Sequence, residues 1–185
     1  MKKPQGYDET EAFTGDFKSI TPGGHICKIA AAKIDTTQNG DEMLVVMFDI
    51  FDGECKAYYA DQYKRKSAAD PQAKWPGIYR QMTEGKGTPF FKGMITAIEE
   101  SNSGYKWNWE EKTLTNKMFG GVFGQEEWLN NNGETKLSTK LLYIRSVDAV
   151  KKGITPPPIK RLKGSASVAP ESFGKEVFPE EEIPF

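Results

Sequence analysis

Apolar and polar positions change rhythm several times along this chain. From His25 to Ile34 a β-prone segment leads into Thr36-Thr37-Gln38-Asn39-Gly40-Asp41. Asn39-Gly40 signals a hairpin, because both residues tolerate the positive φ of a tight turn. Glu42 to Phe51 reads as a second strand, apolar without a break over Met43-Leu44-Val45-Val46-Met47-Phe48 and therefore covered on both faces. Asp52-Gly53 marks the next turn, and Glu54 to Tyr63 reads as a third strand. Strand alternation there puts Tyr59 and Tyr63 on one face and Tyr58 on the other.

Residues 64–88 break the pattern as a basic, polar, Gly-rich insertion holding Trp75-Pro76-Gly77 and a short helical candidate over Ile78 to Thr83. Pro89 to Glu100 has helical spacing, with Phe90, Phe91, Met94, Ile95 and Ile98 sharing one face and Pro89 in a first turn that accepts proline. A loop with Trp107-Asn108-Trp109 follows. Strand character returns over Leu114 to Leu129, reverses at Asn130-Asn131-Asn132-Gly133 and resumes from Lys136 to Val147. The order β-β-β-α-β-β predicts a mainly β fold, a five-stranded OB-type barrel with an insertion before its helix. Gly120, Gly121 and Gly124 in the fourth strand fit bulges or tight curvature. The same pattern also admits an ordinary curled sheet carrying one helix.

The expected boundaries are an N-terminal extension over 1–22, the barrel over 23–153, a disordered linker over 154–179 and an acidic tip over 180–185. Pro156-Pro157-Pro158 and Gly164-Ser165-Ala166-Ser167 give the linker its extended and flexible character.

Charge sharpens this division. The 185 residues carry 25 basic and 26 acidic side chains, a net charge of -1. Residues 170–185 hold Glu171, Glu176, Glu180, Glu181 and Glu182 against Lys175 alone, so the rest of the chain is net positive. A basic body with an acidic end suits a polyanion partner, although terminal charge runs also serve solubility alone. No apolar run approaches the ~20 residues of a membrane span, and Met1-Lys2-Lys3-Pro4 is not followed by the apolar core of a secretory leader. The expectation is a cytoplasmic protein of a bacterial host cell, without a membrane partner, whose Cys27 and Cys55 are free thiols.

The residues point away from catalysis. His25 is the only histidine, and His25, Cys27 and Cys55 lack the short paired spacing of a structural zinc site. Gly85-Lys86-Gly87-Thr88 lacks both the upstream glycine and the hydroxyl after lysine that a phosphate loop requires. The pairs Asp41-Glu42, Glu99-Glu100, Glu110-Glu111 and Glu126-Glu127 read as solvated surface. No enzyme activity, cofactor or metal is expected.

Capture of a single nucleic-acid strand needs cations for phosphates and aromatic faces for bases, each stack worth ~1–3 kcal/mol. The third strand and its exit supply both kinds of side chain: Lys56, Tyr58, Tyr59, Tyr63, Lys64, Arg65, Lys66, Trp75, Tyr79 and Arg80, with Lys74 beside them. Phe48, Phe90, Phe91 and Phe123 read as core. Trp75, Trp107, Trp109 and Trp128 fit a core or a DNA-facing role equally well, whereas Tyr59 and Tyr63 alternate with polar neighbours and are expected to face outward.

The chain ends Pro179-Glu180-Glu181-Glu182-Ile183-Pro184-Phe185. This resembles the acidic tip of bacterial single-stranded DNA-binding proteins. The resemblance implies a partner-binding tip of Glu180, Glu181, Glu182, Ile183, Pro184 and Phe185, in which Phe185 enters an apolar pocket of a partner while its carboxylate and the three glutamates meet surrounding cations. Ala12-Phe13-Thr14-Gly15-Asp16-Phe17 and Ile144 to Gly153 look like segments of phage- and prophage-encoded single-stranded DNA-binding proteins of Gram-positive hosts, over most of residues 12–153. The resemblance implies protection of single strands in replication and recombination. The implied partners are single-stranded DNA, replication or recombination proteins held by the tip, and further copies of the chain. The start departs from the housekeeping proteins, which begin their first strand almost at the initiator Met. A strand-annealing recombination protein and a structural phage β-barrel protein are the alternative readings.

Overall fold

The computed structural model describes Lys2, Lys3, Tyr7 and residues 19–162. Five antiparallel strands form one sheet: β1 (Gly23–Thr36), β2 (Glu42–Ile50), β3 (Ile78–Met82), β4 (Met118–Leu129) and β5 (Thr135–Arg145). Three helices accompany them: α1 (Tyr58–Ala69), α2 (Thr88–Ser101) and α3 (Val147–Lys151). The strand order is β3-β2-β1-β4-β5, so β3 and β5 end the sheet at opposite edges and the barrel is not closed.

Both expected hairpins form. The Thr37 N–H donates to Asp41 O (2.8 Å), and Gly40 takes φ 87°, the conformation its missing side chain permits. At the other tip Asn130 Oδ1 accepts the N–H groups of Asn132 (3.0 Å) and Glu134 (2.9 Å). The sheet curls where one strand carries an extra residue, Ala30 in β1 and Leu142 in β5. Neither bulge falls on the glycines of β4. Gly120 instead lies under Val150 of α3, and Gly124 under Leu142 and Pro157; a side chain at either would strike those neighbours.

The core lies on the inner face of the curl. Cys27, Ile29, Leu44, Val46, Phe48, Ile50, Phe119 and Phe123 meet Phe91, Met94, Ala97 and Ile98 of α2. Phe48 is the hub, with edge-on rings of Tyr59 at 5.3 Å and Phe119 at 5.6 Å. The expected helix face is corrected at one position: Phe90 is 67% exposed, because it sits a residue off the stripe formed by Phe91, Met94 and Ile98.

Two elements differ in type from expectation. The strand over Glu54–Tyr63 is instead a turn followed by α1, and the helical candidate over Ile78–Thr83 is β3. The described end of the N-terminal extension packs into the body through the buried Ile20. The described start of the expected linker, 154–162, is docked rather than disordered: Lys160 makes a parallel bridge to Glu126 of β4. Among the described residues no helix is long and apolar enough to cross a membrane.

Candidate nucleic-acid interface

The ten predicted site residues come from one stretch of structure, the turn before α1, α1 itself, the loop after it and β3, resting on β2. Ala57 takes a left-handed conformation (φ 60°) that swings the chain off β2 into α1. Ala57 brings no capping side chain, and Asp49 of β2 performs that role from a distance. Its Oδ1 accepts the Tyr59 N–H (2.9 Å) and its Oδ2 the Ala60 N–H (3.0 Å). Gly77 lets β3 begin close by, since a side chain there would meet the Phe48 carbonyl and the Tyr59 ring.

This anchoring decides which aromatics are available. Tyr59, expected to face outward, is only 8% exposed and belongs to the core; burial raises its phenol well above the ordinary value. Tyr58 is half-buried with its ring edge-on to Tyr59 at 5.2 Å. Tyr63, one helical turn beyond Tyr59, lies against Trp75 at 5.5 Å and 49°. Trp75 is fixed by its Nε1–H, which donates to Phe48 O (3.0 Å). Tyr79 is half-buried and donates to Gln81 Oε1 (3.2 Å). Lys56, Lys64, Arg65, Lys66 and Arg80 are all exposed. The stretch 52–80 holds six basic residues against four acids, so a mixed aromatic and cationic surface is present.

A cleft of about 830 Å³ opens between the two unpaired sheet edges. Ile78 and Arg80 of β3 face Leu137 to Leu141 of β5 across it, with Tyr58 and Gln62 of α1 along one wall. Burial raises the Tyr79 phenol, Arg145 opposes that rise and Tyr143 adds to it, which places the end of β5 within electrostatic reach of β3. Lys140 at the cleft pairs with Glu126 Oε2 (2.9 Å), and Lys160 takes Oε1 of the same carboxylate (2.7 Å). These two cations, Lys160 first, hold the Glu126 carboxyl down to about 2.

Two further exposed aromatics have cations close to their rings. Phe51, 46% exposed, has the Lys28 ammonium 5.8 Å and the Lys56 ammonium 6.0 Å from its ring centre. Tyr143 has the Arg145 guanidinium at 5.7 Å. Lys28 comes from β1, so only the assembled sheet brings it to Phe51. Trp107 and Trp109 lie against each other at 4.9 Å, tilted by 41°, in the loop after α2, remote in sequence from these residues. His25 Nε2 hydrogen-bonds Thr21 O (2.8 Å), while the buried Cys27 and Cys55 thiols donate to His25 O and Ser19 O respectively (3.7 Å each). Burial pushes the Cys27 thiol up, away from reactivity. Among the described residues no group of three or more His, Cys, Asp or Glu could hold a metal ion. The tip Glu180–Phe185 lies outside the described residues. Compared with known proteins, the chain matches no family model and no curated protein.

Proposed function

We propose that this protein binds single-stranded DNA without sequence preference and without catalysis, protecting it during replication and recombination. The observation that carries this reading is the surface of α1 and β3. There Tyr58, Tyr63 and Trp75 stand among Lys56, Lys64, Arg65, Lys66 and Arg80, beside the cleft of about 830 Å³. Bases stack on the rings, phosphates meet the cations, and no donor–acceptor pattern selects one base over another. Tyr59 takes no part; its work is in the core.

The strand order supports an open OB-type sheet. β1 pairs with both β2 and β4, α2 lies between β3 and β4, and β3 and β5 are the two strands left to face each other. Residues 180–185 serve as a hook for partner proteins, a reading that rests on their sequence alone.

Titration of the full chain against fluorescent oligo-dT, duplex DNA and RNA tests the proposal. Single strands should bind far more tightly than duplex, with log affinity falling against log salt by about 0.7 for each phosphate neutralised. Equal binding to single strands and duplex, or binding to neither, overturns it. Pull-downs with the full chain and with Phe185→Ala test the hook: identical partner sets would make the tail a solubilising appendage.

A further inference from the structure

β1 begins at Gly23, opposite Phe123, so it leaves the following residues of β4 without a partner on that side. The chain itself covers the gap. Past α3 it turns at Gly153 (φ 93°), lays Pro156 and Pro157 near Gly23 and Gly124, and pairs through Lys160. The Lys160 N–H donates to Gln125 O (2.9 Å), and Lys160 O accepts the Glu127 N–H (2.9 Å). The Leu162 N–H donates to Glu127 Oε2 (3.1 Å). Three proline rings cannot donate; the hydrogen bonds above and the Lys160–Glu126 ion pair help to hold this short parallel strand.

We propose that residues 156–162 are a latch whose hold is set by the occupancy of the cleft, an inference that rests on the single-strand reading above. Gln125, which accepts the latch's N–H, lines the cleft, and so does Lys140; Lys160 does not. Glu126 is therefore shared between one cation that a bound strand can reach and one that belongs to the latch. Two ammonium groups on one carboxylate repel each other, and each weakens the other's hold. A phosphate in the cleft draws Lys140 away and leaves Glu126 to Lys160 alone, so binding tightens the latch. By reciprocity a closed latch favours the bound strand to the same degree. The latch also holds Leu162 against Glu127 of β4.

Hydrogen exchange of the full chain, read at the amides of 159–162, tests this with and without saturating oligo-dT, whose binding is followed separately by anisotropy. Oligo-dT should slow exchange there roughly two- to fivefold, the range of one strengthened ion pair. Lys140→Ala should show the slowed exchange without DNA and little further change with it. Glu126→Gln should exchange fast in both states. Binding of oligo-dT with unchanged exchange at 159–162 overturns the latch and leaves the single-strand reading standing. Equal slowing in wild type and Lys140→Ala also overturns it, because the DNA would then shield the segment directly. Absence of binding overturns the single-strand reading, and the Lys140→Ala protein without DNA still decides whether Glu126 is shared as proposed.

Discussion

Two pairs of tilted, touching aromatics lie in different parts of this molecule, and their geometry is nearly the same. Tyr63 and Trp75 meet at 5.5 Å and 49°, Trp107 and Trp109 at 4.9 Å and 41°. Trp109 is the more available of the four, 79% exposed on a left-handed backbone (φ 68°). Its surroundings, however, are mainly acidic. Glu110 and Glu111 follow it in sequence, and Glu99 accepts the Trp107 N–H (3.0 Å) while also holding Lys106 (2.7 Å). Around Tyr63 the next three residues are Lys64, Arg65 and Lys66. Trp109 is exposed and Tyr63 and Trp75 are half-buried, yet on the proposed reading only the basic pair suits the phosphates that come with a base. On that reading charge, rather than exposure, separates the proposed nucleic-acid platform from the other pair.

The strongest way to break this comparison is to remove the support beneath the basic pair. Tyr59→Ala should cost ~3–5 kcal/mol of folding free energy, the scale of a buried aromatic truncation, measured by urea denaturation. A fully stable variant that binds DNA weakly would instead return Tyr59 to the interface. Next in size is the contrast between the pairs themselves. Tyr63→Ala should weaken oligo-dT binding by ~1–3 kcal/mol, whereas Trp109→Ala should leave affinity within error. The reverse result would move the interface to the loop after α2. Smaller again, Lys64→Gln and Lys66→Gln should each lower the salt slope by up to about one. Lys106→Gln and Lys112→Gln should not change it.

The mildest test concerns Glu126, where both signs of charge meet. Its carboxyl is depressed to about 2 by Lys160 and Lys140, so the stabilisation from these pairs is complete above the ordinary carboxylate value near 4.5. It should disappear as the pH falls from there through about 2, the range in which the folded group takes up its proton. Tryptic cleavage is unsuited to such acid, but exchange at 159–162 by pepsin mapping reads it directly. Glu126→Gln should weaken the pH dependence that remains after correction for the intrinsic exchange rate.

These contrasts also explain what the chain discloses before it folds. The hairpins at Asn39-Gly40 and Asn130–Gly133 are written in adjacent residues, and the structure places both as expected. α1 escapes because Tyr59 and Tyr63 are four apart, a spacing that lies on one face of a strand and of a helix alike. Its cap, Asp49, is supplied by β2, so no local signal announces the start of the helix. The bulges fall on Ala30 and Leu142, residues with no mark of irregularity. At the candidate interface the composition of 56–80 shows that basic and aromatic residues lie close together in the sequence, although not the element that carries them. Burial of Tyr59 and the pairing of Phe51 with Lys28 depend on strands that meet only in the assembled sheet.

The pairing of β1 with β4 also has a consequence for how the molecule is made. Lys28 lies opposite Met118, and Gly23 opposite Phe123, yet the β1–β2 hairpin is complete at Ile50. About 70 residues must therefore leave the ribosome before the second edge of β1 finds its strand, a wait of roughly 3–14 s at ordinary rates of synthesis. Throughout that interval the nascent hairpin carries an open edge beside a strongly apolar β2, the arrangement most prone to pair with a neighbouring chain. Lys28 and Lys33, spaced along that edge strand, put charge where a mistaken partner would have to lie.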